Sequence, residues 1–117
     1  MGCAAIARRS LAPAMKALPD QFELVAAASR SPEKARVFAS QAGCEPVTGY
    51  ERLLERGDLD AVYIPLPTGL HEEWVLRALD SGRHVLAEKS LACDLASAEK
   101  MVAKARQRNR LLMEEFM

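Results

Sequence analysis

A run of small residues opens the chain and consists of Gly2, Cys3, Ala4, Ala5, Ile6 and Ala7. Its spacing is that of the fingerprint G-x-G-x-x-G/A, with Ala4 and Ala7 in the second and third small positions. In such a turn the first glycine makes the tight bend, the second small residue lets the backbone approach a pyrophosphate, and the third lets helix pack on strand. The run therefore predicts dinucleotide binding through backbone N–H groups at a helix N-terminus. A plain tight turn of small residues is the alternative.

A second group of candidate residues, Ser29-Arg30-Ser31, follows the next apolar run. Proteins that use NAD commonly place Asp or Glu here for the ribose 2′-OH, whereas NADP needs small donors and a guanidinium for the 2′-phosphate. Because no carboxylate occupies these positions, the sequence favours NADP over NAD. Arg30 can also stack on the adenine, and Lys34 adds positive charge one helical turn later. The alternative is that Ser31 only caps a helix and that Arg30 is a solvated loop charge.

A third group lies in the segment Leu66-Pro67-Thr68-Gly69-Leu70-His71, where a predicted strand ends and a helix begins. Ligands of doubly wound folds bind at this carboxyl edge of the sheet. Thr68 and His71 can therefore face a nicotinamide or a substrate hydroxyl. Alternatively, Thr68 is an ordinary N-cap with His71 in the first helical turn.

The pair Glu88-Lys89 also ends a predicted strand. A lysine in a cofactor cleft can hold a substrate oxygen or donate a proton as a carbonyl is reduced. The alternative is a structural lysine at the end of a buried strand.

The composition describes one soluble globular domain of 117 residues, of which 50% are hydrophobic and 27% charged. The formal net charge of zero gives no electrostatic reason to bind nucleic acid. Cys3, Cys44 and Cys93 are too far apart for a metal knuckle or a disulfide framework, so we expect a reducing cytoplasm and no metal site. Neither a signal peptide nor a membrane span is recognisable.

The elements that must position these groups alternate between strand and helix. Predicted strands are 22–28, 46–48, 60–66, 84–88 and 111–116, and predicted helices are 31–43, 50–56, 70–81 and one that Asp94 caps. The last helix carries an apolar stripe of Leu95, Ala98, Met101, Val102 and Ala105. Pro13 divides the first helix into two pieces and should push Ala12 out of the α region. The pattern predicts an α/β fold, a doubly wound parallel-sheet Rossmann domain with strand order 3-2-1-4-5-6.

Four separated segments resemble the Gfo/Idh/MocA family of oxidoreductases: GCAAIA, LVAAASRSPEKARVFA, PLPTGLHEEWVLRAL and GRHVLAEKSLA. Within that family the chain looks most similar to bacterial NDP-hexose 3-ketoreductases, with dihydrodiol dehydrogenases close by. The resemblance implies NADP at Gly2, Ser29 and Arg30, nicotinamide-side contacts from Leu66, Thr68, His71 and Glu88, and a catalytic role for Lys89.

The resemblance also implies hydride transfer to or from a sugar or nucleotide-sugar substrate, in a homo-oligomer. A non-catalytic nucleotide-binding module or remnant is the alternative function. A different glycine-rich protein, such as a methyltransferase, is a weaker reading that would not need Lys89.

Two departures from the family pattern carry expectations of their own. Ser90 replaces the proline of the family signature Glu-Lys-Pro, and a cis bond before a non-proline residue costs roughly 3–4 kcal/mol, so we expect the turn to open and displace Lys89. Only Met1 precedes the glycine turn, and the chain stops at Met117. We therefore expect one incomplete domain, 1–117, with its first strand nearly absent, without the family's C-terminal α/β domain, and with poor dinucleotide binding by itself.

Overall fold

The computed structural model describes residues 1–116, which divide into two compact units, Met1–Arg56 and a second that begins at Gly57. In the first unit a π-helical segment, Ala7–Leu11, is followed by α1 (Ala12–Lys16), β1 (Ala26–Ser29), α2 (Pro32–Ala42), β2 (Glu45–Thr48) and α3 (Tyr50–Leu54). Strands β1 and β2 are parallel, with Ala26 opposite Glu45 and Ser29 opposite Thr48.

Helix α2 has the boundaries that its sequence predicts. The Ser31 hydroxyl caps the first turn, Pro32 occupies the start, and Gly43 ends the helix in the left-handed conformation at φ +70°. The buried face consists of Ala35, Phe38, Ala39 and Ala42. Helix α2 packs on both strands of the two-stranded sheet.

Two predictions for the first unit were wrong in detail. The strand predicted from Phe22 begins only at Ala26, because the Phe22 N–H donates to the Leu18 carbonyl in a turn and cannot join a sheet. Pro13 does not interrupt the helix: the π-helical segment passes directly into α1 at Ala12, which stays in the α region at φ −62° and ψ −43°. Pro13 lies in the first turn of α1, where its missing N–H leaves no hydrogen bond unmade.

The second unit contains β3 (Ala61–Ile64), a 3-10 turn (Thr68–Leu70), α4 (His71–Asp80), β4 (His84–Glu88), α5 (Leu95–Arg108) and β5 (Leu112–Glu115). Its three strands form a parallel sheet in the order β3-β4-β5. Strand β3 is shorter than predicted because Pro65 has no N–H to continue the ladder, whereas β4 has its predicted bounds.

Helices α4 and α5 pack against each other in this unit. Helix α4 buries Trp74, Val75, Ala78 and Leu79, and the Arg77 guanidinium lies 4.8 Å from the centre of the Trp74 ring. The apolar stripe predicted on α5 is wider than the face that the structure buries. Met101 and Ala105 are buried, whereas Leu95 is 73% and Val102 37% exposed, because one row of residues four apart suffices for contact with a single helix.

The strand pairs are those of the predicted sheet. The neighbours β1-β2 and β3-β4-β5 are all parallel, and they are the pairs of a 3-2-1-4-5-6 order that do not involve its first strand. Helices alternate with these strands along the chain, as an α/β fold requires. Within residues 1–116 we find no helix with the length and apolar character needed to cross a membrane.

Candidate functional site

The glycine turn is anchored at the carboxyl end of β1. The Gly2 N–H donates to the Ala28 carbonyl at 2.8 Å, and Gly2 has a φ of +87°, a conformation that residues with a Cβ rarely adopt. The π-helical segment starts at Ala7, directly after the turn. The turn thus lies beside the end of β1 and leads into the start of a helix, which is the half of the fingerprint that follows its first strand.

Cys3 lies in this turn beside the same carbonyl. Its Sγ is 3.8 Å from the Ala28 oxygen, and burial raises the pKa of the Cys3 thiol above its usual value. Burial also raises the pKa of Cys44. The turn therefore presents a neutral thiol at neutral pH, which does not repel an anion.

The hydroxyls of Ser29, the last residue of β1, and of Ser31 cap backbone groups. Ser29 Oγ accepts from the Ser31 N–H at 3.2 Å, and Ser31 Oγ accepts from the Lys34 N–H at 3.3 Å. A hydroxyl that accepts in this way still has its own proton to donate, so the cap and a phosphate contact are compatible. The side chains of Arg30 and Lys34 are exposed nearby.

The segment that follows β3 begins α4 without a side-chain cap. Leu66 and Thr68 are half-buried and Pro67 is exposed. The residue in the N-cap position of α4 is Leu70, and its N–H donates to the Pro67 carbonyl at 2.8 Å. The structure thus does not support the alternative in which Thr68 is the N-cap of this helix.

His71 is fully buried, and both of its ring nitrogens face backbone carbonyls. Nε2 lies 2.8 Å from the Leu66 oxygen and Nδ1 3.1 Å from the Leu91 oxygen. Each contact is a hydrogen bond when that nitrogen carries a proton. The ring connects the segment after β3 to the turn after Lys89.

Glu88 is the last residue of β4 and Lys89 follows it, and the two side chains have different environments. Tyr63, on the neighbouring strand β3, donates its hydroxyl proton to Glu88 Oε1 at 2.5 Å. Burial, followed by the neighbouring Glu88, raises the pKa of Tyr63, so the phenol remains a donor. Lys89 is exposed. The Lys89–Ser90 peptide bond is cis, so the expectation of a turn that opens at Ser90 was wrong.

Two acidic residues of β5 lie next to this turn. Glu115 is opposite Glu88 in the sheet register, and burial, then the Glu88 charge, raises the pKa of Glu115. Glu115 Oε2 is buried without a hydrogen-bond partner in the described part of the chain. Glu114 Oε1 accepts from the Leu91 N–H at 2.8 Å.

The predicted site residues fall into two groups. Residues 2–6 and 29–34 surround the end of β1 in the first unit, whereas residues 66–71 and 88–89 follow β3 and β4 in the second. Sequence reasoning missed Tyr63, Leu91, Glu114 and Glu115. Only the register that pairs β3, β4 and β5 reveals them, and an acidic pair near the chain end gave no signal of its own.

Comparison with known proteins adds evidence along the whole chain. Residues 1–116 match the family model described as "Oxidoreductase family, NAD-binding Rossmann fold". A dTDP-3,4-didehydro-2,6-dideoxy-alpha-D-glucose 3-reductase of Actinomadura kijaniata is 54% identical over 117 residues, which are 100% of this chain and 35% of that protein. An NADP(+)-dependent D-xylose 1-dehydrogenase of Haloferax volcanii is 41% identical over 118 residues, covering 100% of this chain and 36% of that protein.

The chain is also similar to a solved crystal structure. The 3-ketoreductase of Actinomadura kijaniata in complex with NADP and TDP-benzene superimposes with a TM-score of 0.94 at 54% identity. The match covers 97% of this chain and 35% of that one. The chain thus spans about a third of the length of the curated relatives that it matches.

Proposed function

Because the chain belongs to the Gfo/Idh/MocA oxidoreductase family, with its NAD-binding Rossmann fold, we propose that it is the cofactor-binding part of an NADP-dependent sugar reductase. Within such an enzyme, residues 2–6 hold the pyrophosphate, and Ser29, Arg30, Ser31 and Lys34 hold the 2′-phosphate. The names of the relatives support a nucleotide-sugar substrate.

The residues at the end of β1 fit NADP better than NAD, and this observation carries the proposal. Ser29 ends the strand as a buried hydroxyl, the exposed Arg30 and the half-buried Ser31 follow it, and no carboxylate occupies those three positions. A carboxylate there would accept from a ribose hydroxyl but would repel a phosphate. The guanidinium offers paired donors to a phosphate.

Lys89 carries the proton chemistry in this proposal. When bound, NADPH supplies the hydride that reduces a carbonyl carbon. The Lys89 ammonium holds the carbonyl oxygen and donates the proton that this oxygen needs to become a hydroxyl. The half-buried Leu66 and Thr68 limit the access of water on the nicotinamide side.

Cofactor titration tests the proposal in a protein that spans the full length of its relatives. We expect NADPH to bind at least tenfold more tightly than NADH, a difference of about 1.4 kcal/mol. Arg30→Ala should weaken NADPH binding and leave NADH binding nearly unchanged, because only NADPH carries the 2′-phosphate.

Arg36→Ala is the matched control, since Arg36 is also exposed and lies on α2. It removes the same charge from an exposed position of α2 outside residues 29–34 and should leave the preference intact. Equal affinities for the two cofactors, or a preference that Arg30→Ala does not change, would contradict the assignment. Tight NADPH binding without turnover of any sugar would instead favour a non-catalytic nucleotide-binding module.

A further inference from the structure

The turn that follows Lys89 is held from two sides at Leu91. The Leu91 N–H donates to Glu114 Oε1 on β5 at 2.8 Å. The Leu91 carbonyl lies 3.1 Å from His71 Nδ1 on α4. We call these three groups, namely the His71 ring, the Leu91 backbone and the Glu114 carboxylate, the Leu91 clamp.

The other ring nitrogen of His71 contacts a second segment of the chain. Nε2 lies 2.8 Å from the carbonyl of Leu66, in the segment after β3. The imidazole is 0% exposed, so water does not compete for either contact. A single ring thus lies between the segments that follow two neighbouring strands, and it donates to one carbonyl as a neutral imidazole and to both as an imidazolium.

The side chain of Lys89 is exposed. Its neighbour on one side, Glu88, accepts the hydroxyl proton of Tyr63. Its neighbour two residues later is Leu91, at the centre of the clamp. The backbone position of Lys89 is therefore set by contacts on both sides of it.

We infer that His71 and Glu114 are positioning residues that hold Lys89 in place through the Leu91 backbone. This inference rests on the proposed function, in which Lys89 donates a proton to the substrate oxygen. Proton transfer requires the donor within hydrogen-bond reach of its acceptor, and a displacement of about 1 Å can reduce a rate by about 10²-fold. The contacts of both residues with Leu91 are contacts with its backbone, so they act on Lys89 through the chain.

Glu114 is the better residue for the test, because its side chain is exposed and its truncation leaves no cavity. In the protein at the full length of its relatives, Glu114→Ala should lower kcat about tenfold with little change in the KM for NADPH. Glu114→Gln keeps an oxygen that accepts from the Leu91 N–H and should restore kcat to within about twofold of the unmodified protein. Glu99→Ala, on the exposed surface of α5, is the control for loss of a carboxylate.

A second measurement tests the Leu91 clamp without an activity assay. Hydrogen exchange at the Leu91 amide should accelerate in Glu114→Ala and stay slow in Glu114→Gln, because only the glutamine provides an acceptor. Unchanged exchange and unchanged kcat in Glu114→Ala would overturn the inference. So would a kcat that falls equally in the Gln and Ala variants.

Lys89→Ala separates this inference from the proposed function. We expect that variant to lose about 10²–10⁴ in kcat, the contribution of a general acid. A large loss in Lys89→Ala together with normal turnover in Glu114→Ala overturns the clamp alone. Near-normal turnover in Lys89→Ala overturns the role of Lys89, and the clamp with it.

Discussion

At the scale of single residues, the end of β4 concentrates acidic groups in a small space. Glu88 and Glu115 are opposite each other in neighbouring strands, and Tyr63 contacts Glu88 from a third. Burial and the Glu88 charge raise the pKa of Glu115. A folded-state pKa that lies above the unfolded one means that the charged carboxylate opposes folding at higher pH.

Glu115→Gln should therefore stabilise the protein at neutral pH. The amide removes the repulsion between two carboxylates, so the melting temperature should rise at pH 7 to 8. The gain should shrink as the pH falls through the folded-state pKa of Glu115, because the wild-type side chain then becomes neutral as well. The measurement is thermal unfolding of both proteins from pH 8 down to acidic pH. A lower melting temperature for the variant at pH 7 would contradict the prediction.

Residue types and their spacing predict a chemistry for the site but do not predict its contacts. Lys89 is a candidate because ligands bind at the carboxyl ends of parallel strands. Arg30 is a candidate because no carboxylate accompanies it at the end of β1. The position of His71 depends on Leu91, which is 20 residues away in the sequence. No local pattern encodes such a distant contact, and so the sequence did not predict that the ring lies against two backbone carbonyls.

At the scale of elements, the end of α2 tests whether a glycine in the left-handed conformation stabilises the end of a helix. Gly43 has a φ of +70°, and a Cβ at this position would lie 3.4 Å from Lys16 Nζ. Gly43→Ala should lower the free energy of unfolding by about 1–2 kcal/mol, because the left-handed conformation is unfavourable for alanine. Urea denaturation gives this value.

Gly57→Ala is the matched control for this substitution. A Cβ at Gly57 has no neighbour within 4 Å, and its φ is outside the left-handed range. The alanine there should be neutral or slightly stabilising, because it restricts the unfolded chain. Equal losses in both variants would mean that the conformation of Gly43 is not what stabilises the end of α2.

Capping signals predicted helix ends well, whereas apolar runs predicted strand ends poorly. Ser31 and Asp94 cap α2 and α5, and their side chains accept from Lys34 and Ser97. These signals work because a cap acts within one turn of sequence. A strand ends where its partner ends or where a turn uses its N–H groups, as at Phe22, and that information is not local.

At the scale of the whole molecule, 16 basic and 16 acidic residues balance at neutral pH. Several of the carboxylates accept charged or backbone donors. Lys104 and Arg108 lower the pKa of Asp80, the Ser97 N–H lowers that of Asp94, and Lys100, then Ser97, lowers that of Glu72. A depressed folded-state pKa stabilises the protein above the ordinary pKa and loses this effect as the pH falls through the folded value.

The chain should therefore become less stable in acid. We expect the melting temperature to fall steadily below about pH 4, as these carboxylates are protonated and the basic residues repel one another. Asp80→Asn should start from a lower melting temperature at pH 7 and lose less on acidification. A melting temperature that is constant down to pH 3 would contradict the expectation.

Trp74 has a practical consequence for all these experiments. It is the single tryptophan of the sequence and lies buried on α4, in the second unit. Its fluorescence emission should shift to longer wavelength when the indole enters water, so tryptophan emission, excited selectively, reports on the second unit. Circular dichroism follows the helices of both, and coincident curves from the two signals would indicate a single cooperative transition of the chain.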